Sequence, residues 1–207
     1  MSDETHNWEP LSVEETVALM SGLSVPWWIA GGWAIDLFLG RQTRMHEDID
    51  ILIRRDDQLE VQKYLRDRNW DLHKTKQPGL KPWPVGEFQM QPVNDIWCRR
   101  TPTSPWAFQI MLLDTEGDRW VFRRDPSIQG PLEELGLRTS TGIPFMRPEI
   151  QLLYKAKPQT LDKDQSDFDF AVPCMTREAR TWLLHHLEKR YPEGHDWISV
   201  LREKTTE

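Results

Sequence analysis

Apolar residues recur at helical spacing over residues 12–23 (SVEETVALMSGL), with Ser12 at the start, Glu15 three residues on and Gly22 near the end. That spacing predicts a first helix closed by a capping box. A short apolar run (PWWIAGG) follows and is stopped by glycines, so it reads as a strand, and WAIDLFLG supplies about two turns of buried helix from about Trp33 to Gly40. DIDILIRR is the next strand, and DDQLEVQKYLRDRNW is an amphipathic helix beginning at Asp56 or Asp57. Residues 71–107 are rich in proline and tryptophan and poor in periodicity, which predicts hairpins and loops with a short strand near GEFQMQP or DIWCRR. AFQIMLLD is a strand, and RWVFRR is expected to pair with it across the turn Glu116–Gly117–Asp118. Beyond GIPFMRP the pattern turns helical. RPEIQLLYKAK places Pro148 in a first turn, where its missing N–H costs nothing, and DKDQSDFDFAVP and TREARTWLLHHLEKRYP follow, the last long helix stopping at Pro192. The expected architecture is therefore α+β over residues 1–145, with a small helical domain over 146–207.

Composition narrows the class. A chain of 207 residues forms one ordinary domain, or one with an appendage, and buries a core without staples. Cys98 and Cys174 lie far apart and form no CxxC pair, which suits a reducing compartment and speaks against structural zinc or a disulfide framework. The start, MSDETHNWEP, is polar and acidic rather than a signal peptide, and no apolar run is long enough to cross a bilayer, so a cytoplasmic protein is expected. The net charge of −7 disfavours a general nucleic-acid partner and is compatible with a cationic substrate. Eleven tryptophans are expected mainly in the core or as groove walls.

The chemistry concentrates in residues 31–51. Asp48 and Asp50 share one side of a strand while Ile49, Ile51 and Ile53 bury the other. Two adjacent carboxylates repel unless a hard divalent cation lies between them, and Mg²⁺ suits one or two carboxylates together with phosphate oxygens. Gly31 and Gly32 fall at a strand end before a helix, where a phosphate can approach bare backbone, and Arg41, Arg44 and His46 add positive charge on the loop leading to the acids. Taken singly, a glycine pair is a turn and loop arginines are surface charges; the ordered combination carries the reading. His73, His185, His186 and His195 have no ligand partners at metal spacing, DKDQSDFDF lacks the glycine and terminal glutamate of a calcium loop, and no P-loop, dinucleotide or serine-hydrolase signature is present.

The stretch GGWAIDLFLGRQTRMHEDIDI resembles the core motif of the DNA polymerase β-like nucleotidyltransferase superfamily and, more narrowly, its aminoglycoside 2″-adenylyltransferase and lincosamide nucleotidyltransferase branch. RWVFRRDPSI and RPEIQLLYKAK…KDQSDF are similar to that branch more loosely. The resemblance implies a polymerase β-like core, a mixed sheet flanked by helices, followed by a helical region. It also implies transfer of AMP or another NMP from ATP or another NTP to a hydroxyl of a small molecule such as an aminoglycoside-like antibiotic. On this reading Asp48 and Asp50 hold one or two Mg²⁺ ions, and Gly31, Gly32, Arg41, Arg44, His46 and Lys163 bind nucleotide. Lys155 and Asp164 belong to the helical part that closes over it. The family's third carboxylate falls on Gln109, leaving Asp114 at the end of AFQIMLLD, or Glu87, as a stand-in. Trp83, Trp97 and Trp106 are expected to wall the acceptor groove. Two alternatives stay open: a nucleotide-binding or regulatory protein with weakened catalysis, and a toxin-like enzyme modifying protein or RNA. The oligomeric state is not legible.

Overall fold

The computed structural model describes residues 7–75 and 79–206. The first six residues of the acidic start, and 76–78 of the proline-rich stretch, lie outside the described residues. Helix α1 (Val13–Met20) opens with the expected capping box: Ser12 Oγ accepts from the Glu15 N–H at 3.1 Å, and Glu15 Oε2 accepts from the Ser12 N–H at 2.8 Å. Strand β1 (Trp27–Ala30) runs directly into α2 (Gly31–Leu39). The glycine pair is thus the helix's own first turn, and α2 begins at Gly31 rather than Trp33. The corner needs glycine, because Gly31 has φ +66°, in the left-handed region. Gly40, also left-handed, caps the other end.

Strand β2 (Asp50–Arg54) leads through a single 3₁₀ turn into α3 (Gln58–Arg66). The middle region folds as β3 (Asp71–Thr75), β4 (Leu80–Pro82), β5 (Asp95–Arg99) and β6 (Trp106–Leu113). DIWCRR is therefore a strand and GEFQMQP is not. Strands β7 (Thr115–Glu116), β8 (Arg119–Val121) and β9 (Gln129–Pro131) form a separate three-stranded sheet. The turn at Gly117 lies where expected, but β8 pairs with the two-residue β7, not with β6, because the chain leaves the large sheet at Leu113.

Strands β10 (Gly136–Arg138) and β11 (Pro144–Met146) complete an eight-stranded mixed sheet of order β10-β11-β1-β2-β6-β5-β3-β4. β11 ends at Met146, so the 145/146 boundary falls within a strand. Four helices follow: α4 (Pro148–Lys155), with Pro148 in its first turn, α5 (Asp162–Ala171), α6 (Arg177–Arg190) and α7 (Asp196–Thr206). The last lies beyond the expected stop at Pro192. The helical part shares the core of the sheet part, since Leu152, Phe168 and Leu187 join the same buried cluster as Ile29 and Ile51.

Pairing of β2 with β6 is parallel, and its register sets Asp50 beside Gln109, Ile51 beside Ile110 and Leu52 beside Met111. Ile51, Ile53 and Ile110 are fully buried. Each such side chain removed from water contributes roughly 2 kcal/mol, which anchors the strand and fixes the parity that turns Asp50 to the opposite face.

Candidate active site

Asp48, Asp50, Gly31 and Gly32 meet in one cleft of ≈ 440 Å³, whose other wall comes from Gln151, Tyr154 and Lys155 of α4 and Lys163 and Asp164 of α5. Arg123, Arg124 and Lys157 also face it. The glycine corner is built around the acids. A side chain on Gly31 would run into the Asp50 carboxylate, and one on Gly32 into the Arg44 guanidinium and the His46 ring. The Gly31 N–H donates to Gln151 Oε1 at 2.9 Å, which ties the start of α2 to α4 across the cleft.

Burial and the charges of Asp48 and, less strongly, Asp95 push the Asp50 carboxyl up to about 7, against the pull of Lys155 and Lys163. Among the described residues, no group of three or more His, Cys, Asp and Glu side chains could by itself hold a metal ion. Two carboxylates facing a cationic cleft are a donor set that would fit a hard divalent cation such as Mg²⁺. Because Asp50 is harder to ionise folded than unfolded, it contributes stability that is present below pH 3.8 and lost as pH rises towards about 7. The Asp50→Asn protein is accordingly expected to melt above the wild type at pH 8 in EDTA, with the difference shrinking by pH 5. Equal melting temperatures throughout would contradict that strain.

The residues expected to grip phosphate divide into two groups. Arg44 lines the cleft while its Nε and Nη2 donate to Asp167 of α5 at 2.8 and 3.0 Å, and Asp167 is fully buried. That hydrogen bond, outweighing burial, raises the guanidinium's pKa. Burial alone would push the Asp167 carboxyl up, but Arg44 and the Lys155 ammonium, 2.8 Å away, hold it below the usual range. His46 Nε2 lies 2.5 Å from Asp36 Oδ2, and Asp36 also accepts from the Thr43 N–H and hydroxyl. Both basic residues therefore lock the loop that delivers Asp48. Arg41 lies over the Phe170 ring, beside a separate groove. Lys163 does face the cleft, 3.9 Å from the exposed Glu47.

The proposed stand-in acids are placed elsewhere. Asp114 follows the far end of β6, where Arg55 and Gln91 donate to its two oxygens, each at 2.5 Å. Glu87 pairs with Lys74. Gln109 occupies the position beside Asp50, and its Nε2 donates to Asp95 Oδ1 on β5 at 3.2 Å. Asp95 opens a strand, as Asp50 does, but its closeness to the site depends on β5 pairing with β6, which no spacing reveals. Burial raises its pKa, while Arg123 and Arg55 oppose that. Trp83 and Trp106 are core residues, 0% and 1% exposed, and do not wall the expected acceptor groove, because packing against the sheet buries both rings. Trp97 is half-buried opposite Gln109 and packs edge-on against Trp8 and Trp106.

A family profile described as aminoglycoside-2″-adenylyltransferase matches residues 12–79. The chain is similar to a lincosamide resistance protein of Staphylococcus haemolyticus, 30% identical over 153 residues, covering 72% of this chain and 85% of that one. A 2″-aminoglycoside nucleotidyltransferase of Klebsiella pneumoniae is 49% identical over 39 residues, so the chain spans only 22% of that relative's length and the match 19% of its own. Among solved structures, a lincosamide antibiotic adenylyltransferase with lincomycin bound superposes with TM-score 0.55 at 17% identity, over 79% of this chain and 98% of that one. An aminoglycoside enzyme in complex with adenylyl-2″-tobramycin gives 0.57 at 17%, over 86% and 96%. At such identities the likeness establishes the fold alone. Among the described residues, no helix is long and apolar enough to cross a membrane.

Proposed function

Since the chain belongs to the aminoglycoside and lincosamide nucleotidyltransferase family, we propose that it transfers a nucleoside monophosphate, from ATP, to a hydroxyl of a small antibiotic-like acceptor. The observation that carries this reading is the cleft itself. Asp48 and Asp50 stand against the Gly31 corner, and Lys157, Lys163, Arg123 and Arg124 stand around them. Asp48 and Asp50 would hold Mg²⁺, which when bound supplies positive charge between the triphosphate oxygens.

The protein's own contribution is to place charge and exclude alternatives. Burial and the adjoining Arg123 and Arg190 guanidinium groups lower the pKa of Arg124, whose Nη1 donates to the Tyr154 carbonyl at 2.9 Å. Such crowding of cations is relieved by an incoming polyphosphate. Lys163 sits in the first turn of α5, half-exposed, and can follow a phosphate oxygen at little cost. Gln151 holds the Gly31 N–H, so the backbone beneath the nucleotide is rigid before binding. Position and charge neutralisation supply most of the catalysis in phosphoryl-type transfer, so a site without an evident third carboxylate remains competent. The free thiols of Cys98 and Cys174 accord with action in the cytoplasm.

The test is incubation with α-labelled ATP, Mg²⁺ and a panel including tobramycin and lincomycin, following label and pyrophosphate. Wild-type protein is expected to label at least one antibiotic and release pyrophosphate in step. Gln109 favours a second reading, nucleotide binding without transfer, and saturable ATP binding with no labelled acceptor would select it. Label appearing on protein or RNA would select a toxin-like activity instead.

A further inference from the structure

Gln109 stands between two carboxylates on one face of the sheet. In register, β2 sets Asp50 directly beside it, and two residues along β6 the Met111 position pairs with Asp95 of β5. Alternation along β6 puts Gln109 and Met111 on the same side, so Asp50, Gln109 and Asp95 share that face. Asp95 Oδ1 accepts from Gln109 Nε2 at 3.2 Å. An ionised carboxylate can only accept, so the contact turns the amide nitrogen to Asp95 and its oxygen away. That oxygen has no hydrogen-bond partner among the described residues.

From this arrangement we infer that Gln109 orients the attacking hydroxyl of the acceptor through its free amide oxygen, with Asp95 as the positioning residue that sets the amide's direction. The inference rests on the transferase reading above. Gln109 takes no proton. The acceptor oxygen bonds to the α-phosphorus, and the bond from that phosphorus to the pyrophosphate oxygen breaks. The hydroxyl proton passes to a non-bridging oxygen of the transferred phosphoryl and from there to solvent. Elsewhere in phosphoryl transfer a glutamine likewise orients the attacking oxygen without acting as a base.

An amide suits this position electrostatically. Asp48 and Asp95 already crowd Asp50 with negative charge, and a carboxylate beside Asp50 would add more. The amide oxygen gives a hydroxyl the same acceptor geometry without that repulsion. Trp97, directly opposite Gln109 on β5, supplies an apolar side for the acceptor ring.

The experiment is a mutant cycle on transfer from MgATP to whichever of tobramycin and lincomycin the wild type labels. Gln109→Leu is expected to lower kcat about 100-fold while the KM for MgATP stays within about three-fold. Asp95→Ala should cost about ten-fold in wild type and nothing further in Gln109→Leu, since it acts through Gln109. Asp95→Asn keeps an acceptor oxygen for Gln109 Nε2 and should stay within about three-fold of wild type. A loss on Asp95→Asn as deep as on Asp95→Ala would make Asp95 the base and overturn the inference, as would a Gln109→Leu enzyme of undiminished kcat. Wild type that labels no acceptor overturns the transferase reading instead. In that case the Gln109 side-chain amide, followed by ¹⁵N NMR as Mg²⁺ and a non-hydrolysable ATP analogue are added, decides the matter. A shift abolished by Asp95→Ala supports the part of the inference in which Asp95 sets the direction of the Gln109 amide, and an unmoved signal overturns it.

Discussion

Asp48→Asn and Asp50→Asn are each expected to abolish measurable transfer, lowering kcat/KM about 1,000-fold or more. Asparagine preserves the shape of either side chain and removes one negative charge from a site that must hold a divalent cation against a triphosphate. Losing one such contact forfeits several kcal/mol of charge stabilisation, and about 4 kcal/mol corresponds to 10³ in rate. The fold should survive both changes, because Ile49, Ile51 and Ile53, not the acids, anchor this segment in the core. Asp50→Asn is even expected to stabilise the metal-free protein at pH 8, since it removes a carboxylate that burial and Asp48 hold at a pKa of about 7. The measurements are pyrophosphate release, calorimetric titration of ATP with and without Mg²⁺, and thermal melting. Mg²⁺-dependent ATP affinity that stays within about three-fold of wild type in both variants would refute the metal site.

Asp167→Ala is expected to cost about 3–5 kcal/mol of folding stability, lowering the melting temperature by about 10 °C. Asp167 is fully buried and answers two cations, Arg44 from the loop before β2 and Lys155 from α4. Lys155 retains Asp164 at 2.9 Å, but Arg44 loses both of its carboxylate bonds. A guanidinium largely withdrawn from water and stripped of its carboxylate is the costly outcome, more than the pair itself is worth. The exposed Arg202–Glu188 pair provides the control: Glu188→Ala should cost under about 1 kcal/mol. Urea denaturation of the two variants makes the comparison, and an Asp167→Ala cost no larger than that of Glu188→Ala would show that the network is decorative. Transfer should fall along with stability, because Arg44 also packs against Gly32 at the base of the cleft.

The network explains why Arg44 and His46 are legible as basic residues while the carboxylates that hold them are not. In sequence they stand just before the acids, where a phosphate-gripping role is the natural reading. Their partners are Asp167, 123 residues later on α5, and Asp36, a buried acid on α2. Nothing local reveals such partners. Arg44 and Lys163, both expected at the site, line the cleft, and Arg123, Arg124 and Lys157 join them from a chain segment and a helix end whose positions depend on the small second sheet and on α4.

Local physics determined a good deal unaided. The capping box at Ser12, the helix ending at Gly40, Pro148 in a first turn and the parity that sets Asp48 and Asp50 opposite buried isoleucines all follow from neighbours within four residues. The ordered motif from Gly31 to Ile51 likewise pointed to the family. Tertiary structure alone decided which strand lies beside which. The pairing of β5 with β6 puts Asp95 against Gln109, the exit of the chain at Leu113 sends Asp114 to Arg55, and core packing buries Trp83 and Trp106. Side-chain alternation and capping depend on backbone geometry that each short segment carries itself, whereas strand neighbours are chosen by burial of the whole apolar surface at once.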